Sequence, residues 1–270
     1  MIRVVSWNTA GRDWWSACDR DVDVLLLQEA RRPPSAPNFQ MVPSIDDEWR
    51  TAGSAGRSWG TAIVAPPGRV GLRPHPLAGE SDPAPDALLV SLAGTLRVAD
   101  ILRDGQIVVT VASMYAAWQT ARRGRAIYAD ASAHRLLSDL SALISARKNH
   151  RIVAAGDLNI LRGYGEHGNA YWRGRYATVF DRAEAMGLVC IGPQTPNGRQ
   201  AHPWPPELPP DSVNVPTYHT NRQTPATATR QLDFVFASES IANQVSAAAR
   251  NAVDEWGPSD HCQIEIVVSV

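Results

Sequence analysis

The sequence predicts an α/β protein in which one sheet packs on another with helices outside. Three observations carry this: strand-like runs outnumber helical ones, several are joined by short turns, and the helical stretches are interspersed among them. That pattern fits an α/β sandwich better than a doubly wound parallel sheet. The strand-like runs cover residues 2–6, 22–27, 60–65, 87–92, 96–102, 107–115, 151–155, 231–237 and 263–268. Asp104-Gly105 between two of them predicts a hairpin turn. A short helix is expected over 13–18. The stretch 126–148 sets Ile127, Leu136, Leu137, Leu140 and Ile144 mostly at three- and four-residue steps, with Asn149 as a stop. A third helix is expected over 176–186, ended by Gly187. No linker divides the chain, so residues 1–270 are expected to form a single domain. The segment 192–225 is rich in Pro, Asn and Thr; it is either a functional loop or a surface loop braced by prolines.

Composition narrows the class. With 44% hydrophobic and 20% charged residues in 270, the chain can bury a substantial core. No apolar run approaches the roughly 20 residues that cross a bilayer. The opening MIRVVSWN reads as a core strand rather than a leader, so a cytoplasmic protein is expected. Cys18, Cys190 and Cys262 are widely separated and odd in number, which fits reduced thiols better than a disulfide framework or a zinc knuckle. A formal charge of −1 argues against coating nucleic acid by net charge alone. It leaves room for a phosphate-handling cleft whose positive field comes from local arginines and a metal.

Five short segments place polar residues in or at the edges of strand-like runs. They are Ser6-Trp7-Asn8, Leu27-Gln28-Glu29, Gly156-Asp157-Leu158-Asn159, Leu232-Asp233-Phe234 and Ser259-Asp260-His261. Asp233, set among aromatics and aliphatics, should cost several kcal/mol unless it is paired. The set has a chemical logic. A hard divalent cation such as magnesium takes oxygen ligands and keeps several waters, so Glu29 and Asp260, with Asn8 close by, suffice for a half-open site. Asp157 is placed to orient or deprotonate a water, with Asn159 holding the phosphate or the acid. His261 can stabilise charge on phosphoryl oxygens if a buried carboxylate fixes its tautomer and keeps it charged, which is the role that would explain Asp233.

These five motifs, in this order and spread from end to end, resemble the endonuclease/exonuclease/phosphatase superfamily. That group includes exonuclease III-type abasic-site endonucleases, deoxyribonuclease I, sphingomyelinases and inositol polyphosphate phosphatases. The resemblance implies a four-layer α/β sandwich of two mixed, mostly antiparallel sheets with helices outside and the site at one edge. It implies that Asn8, Glu29 and Asp260 lie on the metal side, that Asp157 and Asn159 activate water and orient phosphate, and that Asp233 partners His261. Magnesium is the implied cofactor, with manganese a substitute. Tyr115 falls where the abasic-endonuclease branch has a phosphate-contacting tyrosine. Two departures stand beside it: Ala116-Ala117-Trp118 replaces the Pro-Asn that follows in that branch, and Thr9-Ala10 lacks its aspartate two residues past the asparagine.

Arg122, Arg123 and Arg125 follow Tyr115, and Arg162, Arg173 and Arg175 follow the Gly-Asp-Leu-Asn motif, interleaved with Tyr164, Tyr171, Trp172 and Tyr176. Arg122, Arg173 and Trp172 are the expected substrate contacts, either gripping phosphates and stacking on unpaired bases or packing on the sheet. His202, Trp204 and His219 of the proline-rich segment are further candidates. The expected activity is a magnesium-dependent phosphodiesterase on nucleic acid, a nuclease using in-line attack by an activated water. The alternative is a phosphatase or phosphodiesterase for a small or lipid phosphate, such as an inositol phosphate or a phospholipid head group. A non-catalytic binding scaffold is a third class, against which the intact polar set argues. Oligomeric state is left open.

Overall fold

The computed structural model describes residues 1–16, 21–35, 38–45, 49–52, 57–78, 87–120, 126–146 and 149–269. In chain order the first strands are β1 (Ile2–Asn8), β2 (Val24–Ala30), β3 (Gln40–Val42), β4 (Gly60–Ala65), β5 (Gly71–Pro74) and β6 (Leu77–Ala78). Then come β7 (Leu88–Leu89), β8 (Leu96–Arg103), β9 (Gln106–Tyr115), β10 (Gln119–Thr120), β11 (Ala126–Ile127) and helix α1 (Ala129–Ala146). The remainder holds β12 (Ile152–Asp157), helix α2 (Ala170–Ala185), β13 (Leu188–Gly192), β14 (Asp233–Ser238), β15 (Val245–Arg250) and β16 (Gln263–Val268).

Two six-stranded sheets dominate, ordered β15-β16-β1-β2-β4-β3 and β13-β14-β12-β9-β8-β5. Each has one parallel pair at its centre, β1 with β2 and β9 with β12, and antiparallel neighbours elsewhere. Parallel strands end on the same side, so Asn8 stands opposite Gln28 and Tyr115 opposite Asp157. Ile2, Val4, Leu26 and Ile63 of the first sheet meet Ile101, Val111, Val153 and Val235 of the second in a continuous buried layer. One polar tie interrupts that layer below the strand ends. Gln28 Nε2 donates to Ser6 Oγ at 3.3 Å and to Ser113 Oγ at 3.0 Å, and Ser113 Oγ donates across to the Leu27 carbonyl at 2.8 Å.

The two outer faces are covered differently. On the second sheet, Leu96, Met114, Phe234 and Phe236 pack beneath Leu136, Leu137 and Leu140 of α1 and Tyr176 and Val179 of α2. On the first sheet, Trp7, Leu25 and Val64 lie under Trp14 and Trp49, whose rings stack at 6.2 Å and 5°. The expected sandwich is therefore present. Among the described residues no helix is long and apolar enough to cross a membrane.

Several elements differ from the sequence expectation. Strand 60–65 and strand 263–268 coincide with β4 and β16, and the strand of 151–155 runs on to Asp157. The run at 87–92 shrinks to two residues. Residues 13–16 are irregular, with a turn at 15–16, rather than a helix, because Trp14 is buried over the sheet with its indole N–H donating to the Arg31 carbonyl at 2.8 Å; Cys18 lies outside the described residues. Ala126 and Ile127 pair with β10 and do not begin α1. Helix α2 starts at Ala170, capped by the Asn169 side chain, which accepts from the Tyr171 and Trp172 amides. Strand β15, Val-Ser-Ala-Ala-Ala-Arg, carries no strand signal in the sequence because alanine favours helix. Pairing with β16 overrides that preference by burying Val245, Ala247 and Ala249. The Asp104-Gly105 turn has φ of 52° and 75°, the left-handed pair a two-residue hairpin requires.

Asp100 on β8 is fully buried, and Arg73 of β5 and Thr110 of β9 lie across from it. Burial alone raises its pKa. His75 Nε2 at 3.2 Å, the Thr110 hydroxyl at 2.6 Å and Arg73 Nη2 at 2.6 Å outweigh this and hold the carboxyl well below its usual range. A depressed folded-state pKa contributes stability above the unfolded value near 3.9, and that stability is lost as pH falls through the folded value. Asp100→Asn is therefore expected to lower stability by on the order of 2 kcal/mol at pH 7. Urea titrations at pH 7, 4 and 3 should show the gap between the two proteins narrowing as pH falls below 4.

Candidate active site

The ends of the two central parallel pairs build the site. Asn8 closes β1, and Glu29 sits where the register between β2 and β4 slips. A bulge of this kind re-aims a side chain; Glu29 has a left-handed φ of 49° and lines the cleft above the sheets. From the second sheet, Asp157 ends β12 and Asn159 follows with a φ of 50°. Gly156 explains why the motif needs a glycine. Its φ is +151°, and a Cβ there would lie 1.9 Å from the Met114 carbonyl oxygen on β9.

Asp157 is the hub. Its Oδ2 accepts from Asn8 Nδ2 at 2.9 Å and from Asn159 Nδ2 at 3.0 Å, and its Oδ1 accepts from the Asn159 amide at 2.8 Å. Asn8 Nδ2 also reaches Glu29 Oε1 at 3.4 Å. His261 Nδ1 is 2.8 Å from Asp233 Oδ2, and its Nε2 is 3.8 Å from Asp157 Oδ2. Backbone ties fix both partners. The Leu232 and Asp233 amides donate to Thr217 Oγ1, the His261 amide donates to Ser259 Oγ, and Ser259 Oγ donates to the Asn8 carbonyl at 2.7 Å.

Electrostatics follow from this geometry. Burial works against a charged His261, but the Asp233 carboxylate, then that of Asp157, lift its pKa to about 10, so an imidazolium persists at neutral pH. Burial is the largest influence on Asp157; with the Asp233 and Glu29 charges it pushes the carboxyl to about 7 against the pull of His261. Burial, then the Glu29 and Asp157 charges, keep the Tyr115 phenol protonated, and its ring packs edge-on to Trp59 at 5.4 Å.

The cleft holds about 280 Å³ and is open to solvent. Glu29, Asp157, Asn159, Asp260 and His261 line it. Asp260 Oδ1 is buried and has no hydrogen-bond partner among the described residues, an acceptor that suits a cation. Asp157, Asp233 and His261 also bring ligand atoms within 4.8 Å of one another. Both His261 nitrogens there face carboxylates, and an imidazolium has no lone pair for a metal. Glu29 and Asp260 are the better-suited donors.

Five further lining residues belong to none of the five motifs: Ala10, Trp118, Tyr218, Arg230 and Glu166. Tyr218 bridges by backbone to both Arg230 and His261 and lays its ring 4.9 Å from the imidazole, while Arg230 pairs with Glu166 at 3.0 Å. Arg230 stands three residues before Asp233, and that proximity is the one sequence signal for it. The proline-rich segment is stitched to the site. Its Thr217 carbonyl accepts from the Cys262 amide, and the His219 amide donates to the Asp260 carbonyl at 3.0 Å. His219 also packs on Trp256, His202 is exposed, and the Trp204 indole donates to Leu208.

Of the expected substrate contacts, Arg173 and Trp172 lie on the first turn of α2, Arg173 exposed and Trp172 half-buried. Arg122, with Arg123 and Arg125, lies outside the described residues. Arg162 sits over the Phe180 ring, and Arg175 pairs with Asp130.

The chain belongs to the endonuclease/exonuclease/phosphatase family, whose sequence profile matches residues 4–261. Its members are phosphoric ester hydrolases, generally dependent on divalent metal, and the chain takes that class with them. Among curated proteins none matches the sequence. Solved structures share the fold. The endonuclease domain of TRAS1, a telomere-specific non-LTR retrotransposon, aligns with a TM-score of 0.62 and 13% identity over 100% of this chain and 99% of that one. The AP endonuclease LMAP from Leishmania major gives 0.62 and 17% over 100% and 88%. The 3′ phosphatase NExo from Neisseria, bound to product DNA hairpin, gives 0.58 and 16% over 100% of both chains.

Asp233→Asn removes the carboxylate that does most to hold the proton on His261. In metal-free protein the imidazole pKa should fall by more than one unit, on the order of the roughly 1.4 kcal/mol that one unit represents. Nitrogen-15 NMR of the ring, titrated from pH 6 to 10, would check this; an unchanged titration would contradict the assigned pairing.

Proposed function

We propose that residues 1–270 form a single catalytic domain that hydrolyses phosphodiester bonds of nucleic acid in the cytoplasm with magnesium. The observation that carries this reading is the buried Asp157–His261–Asp233 row opening into a cleft shared with Glu29 and Asp260. Glu29 and Asp260 would hold the cation with Asn8 beside them, and a cation bound there neutralises charge on the phosphate and the leaving oxygen.

The chain's own groups supply the rest. Asp157 Oδ1 accepts one hydrogen bond, from the Asn159 amide, and keeps a lone pair for a water. A carboxyl near pKa 7 is matched to taking that water's proton at neutral pH. Asn8 and Asn159 hold the carboxylate so that its free lone pair has one direction. The His261 imidazolium and the Tyr115 phenol donate to the phosphoryl oxygens as negative charge grows on them, and Asp233 keeps His261 charged and oriented. The water attacks in line, its proton passes to Asp157, and the P–O bond to the leaving oxygen breaks.

End-labelled single-stranded, duplex, abasic-site and RNA oligonucleotides incubated with magnesium, or with EDTA, test this. Metal-dependent products are expected, with turnover reduced by roughly a hundred- to a thousandfold or more in Asp157→Ala and His261→Ala at unchanged circular dichroism. Full activity in either variant would remove the assigned roles. Phosphate release from soluble phosphomonoesters with no oligonucleotide cutting would instead point to a small phosphate ester as substrate.

A further inference from the structure

Among the described residues, three aromatic side chains are exposed: Trp118, Tyr128 and Tyr171, at 40%, 43% and 63%. They are not scattered. Trp118 lines the cleft and meets Tyr128 edge-on, with centroids 5.6 Å apart; Tyr128 lies 4.7 Å from Trp172, and Trp172 meets Tyr171 at 5.4 Å. A row of four rings thus leads from the cleft along the first turn of α2. Arg175 supports its far end. Its guanidinium lies 5.3 Å from the Trp172 ring centroid and 5.8 Å from that of Tyr171, and its Nε donates to buried Asp130 at 2.6 Å.

Rings left in water contribute little to folding, because burial is what makes an aromatic side chain stabilising. A row of touching rings, three of them exposed, that shares an anchored arginine is better explained by a ligand with flat apolar faces. The row is continuous with a cleft built for a phosphodiester, and exposed Arg173 lies on the same turn. A single-stranded polynucleotide combines those features, with a phosphate for the cleft and successive base faces for the rings. A duplex turns its base faces inward and offers this row only edges and phosphates.

We infer that the Trp118–Tyr128–Trp172–Tyr171 row is a stacking platform for the unpaired bases of a single-stranded nucleic acid. The strand's scissile phosphate occupies the cleft, so the inference rests on the nuclease reading and names its substrate class. Each ring takes a base without reading its sequence, and the platform holds the strand flanking the cleavage point.

Equilibrium binding measured by anisotropy in EDTA, where no turnover occurs, tests the platform separately from the activity. The probes are a labelled single-stranded dT12, a base-free deoxyribose-phosphate strand of equal length, and the corresponding duplex. The wild-type chain is expected to bind dT12 about tenfold or more tighter than either comparator, with indole fluorescence quenched. Tyr171→Ala and Tyr128→Ala are each expected to weaken dT12 binding by about fivefold or more and to leave the base-free strand unaffected. Tyr171→Phe should restore it. Thermal melts establish that each variant folds, and Tyr171 is exposed enough for its loss to be tolerated. Equal affinity for base-bearing and base-free strands, tighter binding to duplex, or preferential retention on phosphatidylcholine–phosphatidylglycerol vesicles would each overturn the inference. A chain that cuts no oligonucleotide with magnesium would overturn the nuclease reading instead, whatever the binding result.

Discussion

The two sheets meet at their ends through one side chain. The Asn8 amide, at the tip of the first sheet's central strand, donates to Asp157 at the tip of the second sheet's central strand. Everything in the site depends on that contact. It sets the spacing of the sheets where the apolar layer between them stops. It also takes up one of the acceptor positions of a carboxylate that is almost fully buried. A buried charge is tolerated only when it is paired and hydrogen-bonded. Asp157 meets that condition with three amide donors and a neighbouring imidazolium.

The same constraint explains the charge pattern around it. Asp157 and Asp233 are both buried, and His261 lies between them. A neutral imidazole would leave both carboxylates without a counter-charge, so the protonated ring is the stable arrangement despite its own desolvation. A cost is visible in the backbone at Glu29, whose φ of 49° lies in the left-handed region a glutamate seldom adopts, while Asn159 at 50° is of a type that tolerates it. Strain of this kind is retained where surrounding contacts over-determine it. Both residues are held by hydrogen bonds to the same cluster.

The proline-rich segment and the aromatic row extend the site in different ways. Thr217, Tyr218 and His219 lie between the start of β14 and the segment before β16 and tie Asp233 to His261 through the backbone. A loop that carries no regular structure thereby does what a strand edge would otherwise do. The rings of Tyr128, Trp172 and Tyr171 run on from Trp118, which lines the cleft, to the first turn of α2.

Much of this was legible in the linear chain because it is local. Strand runs such as 60–65 and 263–268 alternate or saturate with apolar residues, and a buried acid such as Asp233 advertises its need for a partner. The ordering of the five polar motifs along the chain was enough to recognise the family. Elements whose conformation contradicts local preference were not legible: the Ala-rich strand β15 is held by its neighbour, and Trp14 is held in an irregular segment by the sheet it covers. Nor could spacing place Tyr218, Arg230 and Glu166 in the cleft, since a long irregular segment brings them there. The sequence by itself therefore determined the fold class and the chemical types gathered at the strand ends. Only the tertiary structure decided which of those groups touch, because contacts such as Asn8 to Asp157 join residues 149 positions apart across two sheets that apolar packing brings together.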